Sequence, residues 1–198
     1  MSSDLQIAFN PESTYRRLVS EHVPPSWARV VTRLCFLVLA FAVIVPILAT
    51  HVITIRLVLV SAAAWCFVPL IQTAMALAII GPARGRRVGL ARACELWFAG
   101  HLPYTAWILL LPIIFRLGYM LRFNLLLVTF AAATIWASFV ETAYCRAVLG
   151  ASPSDARWSV AVHQMLMLTL TCVGVVWAAG GWESITGFLA RTAAQLLA

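Results

Sequence analysis

A chain of 198 residues that is 63% hydrophobic and 11% charged, with a mean hydropathy of +0.93, is excluded from the ordinary soluble domains, which carry roughly 25% charged residues. Its net charge of +7 comes from fourteen basic residues, all arginines, against seven acids. The arginines flank apolar runs and accompany no aromatic–basic module, so they point to topology and membrane lipids rather than to nucleic acid.

The first 26 residues are polar and amphipathic, without the apolar core of a secretory signal. Asn10-Pro11-Glu12 reads as a helix start: a capping residue, a proline suited to the first turn and an acid that complements the helix dipole. Tyr15, Leu18 and Val19 then share a face, which predicts a short helix from Asn10 lying on the membrane surface and ended by Pro24-Pro25, within an N-terminal amphipathic interfacial segment, 1–26.

Five apolar stretches follow, and the fold class expected is all-α: a polytopic membrane bundle of about five transmembrane helices, with amphipathic interfacial helices at both ends. The first span covers about 30–50, with Pro46 inside it. A short link leads to the second, about 57–80, carrying Pro69 and Gln72. The glycine-rich, basic run Gly81 to Gly89 is a loop without the residue order of a phosphate-binding loop. The third span, about 96–115, contains Gly100, His101, Pro103 and Pro112 and is expected to be broken or re-entrant at its start. The fourth covers about 123–145 and the fifth about 158–179. Transmembrane residues 27–182 thus separate the N-terminal segment from a C-terminal interfacial helix, 183–198, whose Ile185, Phe188, Leu189 and Leu196 share a face.

Arginine placement sets the expected orientation. Arg16, Arg17, Arg29, Arg33, Arg84, Arg86, Arg87, Arg92, Arg146 and Arg157 fall on one side, and Arg56, Arg116, Arg122 and Arg191 on the other. The arginine-rich side, with the N-terminus, is expected in the cytoplasm. Trp27, Trp97, Trp158 and Trp182 sit near span ends, as interfacial anchors should. Arg84, Arg86, Arg87 and Arg92 are the candidates for lipid-headgroup contacts.

The five cysteines are scattered, without CxxC spacing, and suit small apolar positions rather than a disulfide framework or a zinc site. The informative polar residues are Glu141, one turn inside the end of the fourth span, His163 at a similar depth in the fifth, and His101 and Glu95 around the broken entry to the third. An ionisable group at such depth is costly and marks a candidate polar site. The bland alternative is an ion-pair network near the headgroups. No HExxH or ExxH pair, nucleophile order or dinucleotide fingerprint is present, so no catalytic residue, metal ligand or cofactor is assigned. The runs Ser61-Ala62-Ala63-Ala64 and Ala131-Ala132-Ala133-Thr134 are small-residue faces suited to close helix packing.

Three features resemble bacterial members of the Yip family, named for interaction with Ypt/Rab GTPases. They are the proline-led opening Asn10-Pro11-Glu12-Ser13-Thr14-Tyr15; the basic loop from Arg87 to Ala93 leading to His101-Leu102-Pro103-Tyr104-Thr105-Ala106-Trp107; and the passage from Tyr144 through Pro153 into the fifth span. The loop after the fourth span lacks the lysine and proline-rich stretch common in that family. The resemblance implies a helical membrane protein without catalysis, in a bacterial inner membrane. The expected function is a non-enzymatic scaffold or accessory subunit, with lipids and other membrane subunits or itself as partners. The alternative is a small transporter or channel with a polar site near Glu141 and His163, since discontinuous helices frame many such sites. A lipid-acting membrane enzyme ranks behind both.

Overall fold

A computed structural model of the chain describes residues 3–21, 24, 26–50, 52–83 and 85–178. Every regular element among them is a helix, as expected: α1 (Ser3–Phe9), α2 (Pro11–Ser20), α3 (Trp27–Thr50), α4 (Ile55–Trp65), α5 (Phe67–Ile80), α6 (Leu90–Ala99), α7 (Leu102–Ile114), α8 (Tyr119–Ala147) and α9 (Pro153–Ala178). The chain divides into two compact units, 1–161 and 162–198. The described part of the second consists of α9 from residue 162 onward. The expected C-terminal helix over 183–198 and Trp182 lie outside the described residues.

Four segments are long and apolar enough to cross a membrane: Trp27–Leu48, Ile55–Ile80, Leu90–Ile114 and Asn124–Ala147. At 1.5 Å per residue each reaches roughly 30 Å or more, the thickness of the hydrocarbon layer. The chain is a multi-pass membrane protein on this ground. The fifth expected span coincides with α9 but is not among these four.

Two of the spans are interrupted, each where a proline dictates. Proline lacks the N–H that would bond four residues back, and its ring crowds that carbonyl. Pro69 does this to Trp65, and α4 ends there; α5 resumes after Cys66. Trp65 caps the joint by stacking on Phe41 at 5.7 Å and on Phe67 at 5.8 Å. Pro103 does the same to Ala99, the last residue of α6. The expected break in the third span is therefore a joint at Gly100–His101 between two helices, and the combined segment is long enough to cross.

The third span is also the most enclosed. Of its apolar window 44% is buried, against 28% for the first span and 22% for the second and fourth. Helix α3 packs on α4, α6 and α7, and α8 packs on α2 and α7. Trp107 Nε1 donates to Thr129 Oγ1 at 3.1 Å, tying α7 to α8.

The N-terminal helices differ from expectation. Asn10 precedes α2, but its side chain makes no capping hydrogen bond. Helix α1, not expected as an element, packs beside α2. Trp136 Nε1 of α8 donates to Ala8 O at 2.8 Å. Tyr15 and Leu18, expected to face lipid, are buried in the core formed with Trp97, Val140, Tyr144 and Val148. A phenol and a leucine on one face suit a protein groove as well as a bilayer surface, and here the protein covers them.

The arginine-rich segments gather at one end of the first unit. Arg33 pairs with Asp4 through two contacts of 2.7 and 2.8 Å. Arg146 reaches Glu12 at 3.5 Å. Arg87 N donates to Val148 O at 2.9 Å, docking the basic loop on the end of α8. That docking needs two glycines. Gly150 has φ +67°, the left-handed region that favours glycine, and a Cβ on Gly85 would lie 2.8 Å from Leu149 O.

Candidate functional site

The joint at Gly100–His101 organises the polar core of the first unit. Because Pro103 prevents the helix from continuing, the last turn of α6 tightens: Gly100 N donates to Trp97 O at 3.0 Å and His101 N to Phe98 O at 3.3 Å. Gly100 is required by its neighbours. A Cβ there would lie 2.6 Å from the Tyr15 hydroxyl and 3.1 Å from Val140 Cγ1. Its absence lets α2 and α8 close on the joint from two sides.

Two tyrosines then bond to α6 carbonyls. Tyr15 O–H donates to Leu96 O at 3.3 Å, and Tyr144 O–H donates to Ala93 O at 2.9 Å. Their rings meet edge to face at 5.5 Å, and Tyr144 makes a similar contact with Trp97 at 5.2 Å. Burial holds the Tyr15 phenol well above its ordinary value of 10.0, and the nearby charge of Glu141 pushes it the same way. Tyr15 is therefore a neutral hydrogen-bond donor at physiological pH.

His101 closes the joint from within. Its Nδ1 lies 2.9 Å from Trp97 O. A carbonyl only accepts, so Nδ1 carries a proton and donates it to Trp97 O. Such a bond fixes the ring and tautomer, as it does in histidines that bind cations. A ring nitrogen of His101 and a carboxylate oxygen of Glu141 lie within 4.8 Å of each other, and both residues are buried. An imidazole and a carboxylate so placed can share a proton or supply nitrogen and oxygen donors to a cation.

Glu95 is engaged by two arginines. One oxygen is 3.0 Å from Arg92 Nη1 and the other 3.4 Å from Arg29 Nη1. It serves an ion-pair network, while His101 and Glu141 form the close pair. His163 is buried on α9, in the second unit.

The expected headgroup arginines also separate. Arg87 is exposed. Arg86 is half-buried and donates to Ile80 O at 3.2 Å and Val88 O at 3.0 Å, so it braces its own loop. Arg92 is buried and committed to Glu95 inside the protein. Arg84 lies outside the described residues. Trp97, expected as an interfacial anchor, is a core residue, whereas Trp27 and Trp158 are exposed.

Sequence reasoning passed over Tyr15, Tyr144 and Arg29 as parts of this site. A tyrosine three residues after the buried Glu141 was a usable signal; nothing local marked Arg29, whose partner lies 66 positions away. No family model, curated protein or solved structure matches the chain.

Proposed function

We propose that the chain is a non-enzymatic integral membrane protein that acts as a scaffold or accessory subunit. The supporting observation is where its small residues point. Ala63 and Ala64 of α4, and Ala131 and Ala132 of α8, are exposed rather than used in packing within the unit. Small outward positions let a second helix approach closely, which is how helices associate in lipid. The Yip-like layout is part of the same proposal, as are the bacterial inner membrane and a cytoplasmic N-terminus. The gathering of Arg33, Arg87 and Arg146 at one end supports that orientation.

A photo-reactive residue at Ala63 or Ala132 tests this reading in cells. The expected result is a discrete adduct with another membrane protein or a second copy, lost when the neighbouring alanine becomes leucine. Adducts with lipid alone would contradict it.

One observation favours a second reading, the small transporter or channel with a polar site near Glu141 and His163. It is the buried His101–Glu141 pair beside a proline-broken helix, an arrangement suited to proton or cation handling. Under this reading Glu141→Gln folds and inserts normally but abolishes transport in liposomes. Loss of the protein itself would place Glu141 among structural residues.

A further inference from the structure

A cleft of about 460 Å³ opens between α1, α3 and the α6–α7 joint, within the size range of small-molecule sites. Its lining is graded along α3. Arg29 and Arg33 sit one helical turn apart near the start of that helix, and Phe36 and Leu37 lie one to two turns further on. From Arg29 to Leu37 is about 12 Å at the helical rise. The opposite wall supplies Phe98 and Leu102. The Arg29–Glu95 contact sets the register of the walls, so the charged ends coincide and the apolar ends coincide.

The charges at the polar end do not cancel. Among the residues that line the cleft, two guanidiniums, Arg29 and Arg33, meet one carboxylate, Asp4. One positive charge is left over. Arg33 gives Nη1 and Nη2 to Asp4, while a guanidinium has five N–H donors. Arg29 is 41% exposed at its side chain; its Nη2 donates to Pro24 O at 2.5 Å and its Nη1 sits 3.4 Å from Glu95, so three of its five N–H donors remain for a ligand. A ligand complementary to this cleft carries a single negative charge on an oxygen-rich head and has an apolar body directed along the helix.

We propose that the cleft binds one monoanionic phospholipid, with its phosphodiester against Arg29 and Arg33 and the start of its chains along Phe36, Leu37 and Leu102. Planar guanidiniums suit phosphate oxygens. The apolar walls distinguish the lipid from free phosphate, which would leave them in contact with water. This site is separate from the basic loop, where Arg87 meets headgroups only as surface charge.

The test titrates the full chain, purified in an uncharged mild detergent, with short-chain phosphatidylglycerol, short-chain phosphatidylcholine or inorganic phosphate, reading thermal unfolding. Phosphatidylglycerol should raise Tm saturably, and the other two should not. Arg29→Gln should raise the half-saturating concentration about fivefold to tenfold, the weight of one arginine at an anionic headgroup. Thr32 is exposed on the cleft wall, so Thr32→Trp should fill the mouth and abolish the response while leaving the lipid-free Tm unchanged; it decides the question should Arg29→Gln not fold. An equal response to phosphatidylcholine would show that charge is not read. An equal response to phosphate would assign the site to a free anion. A wild-type response from Thr32→Trp, or loss of response in Arg87→Gln instead of Arg29→Gln, would overturn the proposal.

Discussion

Gly100 carries more of the site than any residue with functional chemistry. A methyl group there would sit 2.6 Å from the Tyr15 hydroxyl, closer than atoms pack. Gly100→Ala should therefore cost about 1–3 kcal/mol, the range for overpacking a tight core, measured by unfolding in mild detergent. Tyr15→Phe should cost less, about 1 kcal/mol, because Leu96 O also accepts from Gly100 N at 3.3 Å. If the phenylalanine variant proved the more damaging, the joint would not be the tight point described. Tyr15 also predicts an alkaline limit. Its phenol is raised in the folded state by burial and by Glu141, so the fold favours the protonated form. That contribution is complete below the ordinary value of 10.0 and declines as pH rises beyond it toward the folded value. Tyr15→Phe should flatten that decline.

Glu95 illustrates a different residue-scale balance. It is shared by Arg29 and the buried Arg92, and its removal strands the Arg92 guanidinium. Glu95→Gln should destabilise by about 3–5 kcal/mol, as breaking one side of a buried pair does. Replacing Arg92 and Glu95 together by apolar residues of similar size should recover most of that loss. A single substitution that cost nothing would mean the pair reaches solvent.

At the scale of elements, the prolines carry the argument. Pro103 ends α6 at Ala99, and the tightened turn that follows presents His101 beside Leu96 O, the carbonyl that accepts from Tyr15. Pro103→Ala should let α6 and α7 join. Increased helix signal in circular dichroism, with weaker burial of His101, is the expected outcome; an unchanged joint would assign the break to Gly100 alone. The joint in the third span was legible in the sequence, where Gly100, His101 and Pro103 fall together; the one at Cys66 was not, since Pro46 and Pro112 lie inside unbroken helices. Nor was the face of α2. Tyr15, Leu18 and Val19 specify an apolar stripe, but a stripe does not say whether lipid or protein covers it. Tyr144 and Val140, more than 120 positions away, decide that. Arg92 and Trp97 were misplaced for the same reason: residues near a span end look interfacial until a neighbouring helix encloses them.

At the scale of the molecule, composition alone identified a membrane-spanning helical protein, and four described segments meet the length and apolarity required. The sequence also places ten arginines at alternate span ends, which are expected to share a side. What pairing would join them was not readable: Arg33 with Asp4, Arg146 with Glu12 and Arg87 with Val148 are contacts between distant segments. The outward alanines of α4 and α8 remain the basis for a scaffold, and the buried His101–Glu141 pair the basis for its rival.

Purification of the tagged chain from its own membranes in mild detergent, followed by mass measurement of the intact complex and reconstitution into liposomes, separates the two most directly. The account predicts a defined complex with other membrane subunits and no proton or ion flux from the isolated chain. A homo-oligomer without other subunits that moves protons or ions, with flux lost in Glu141→Gln, would contradict it.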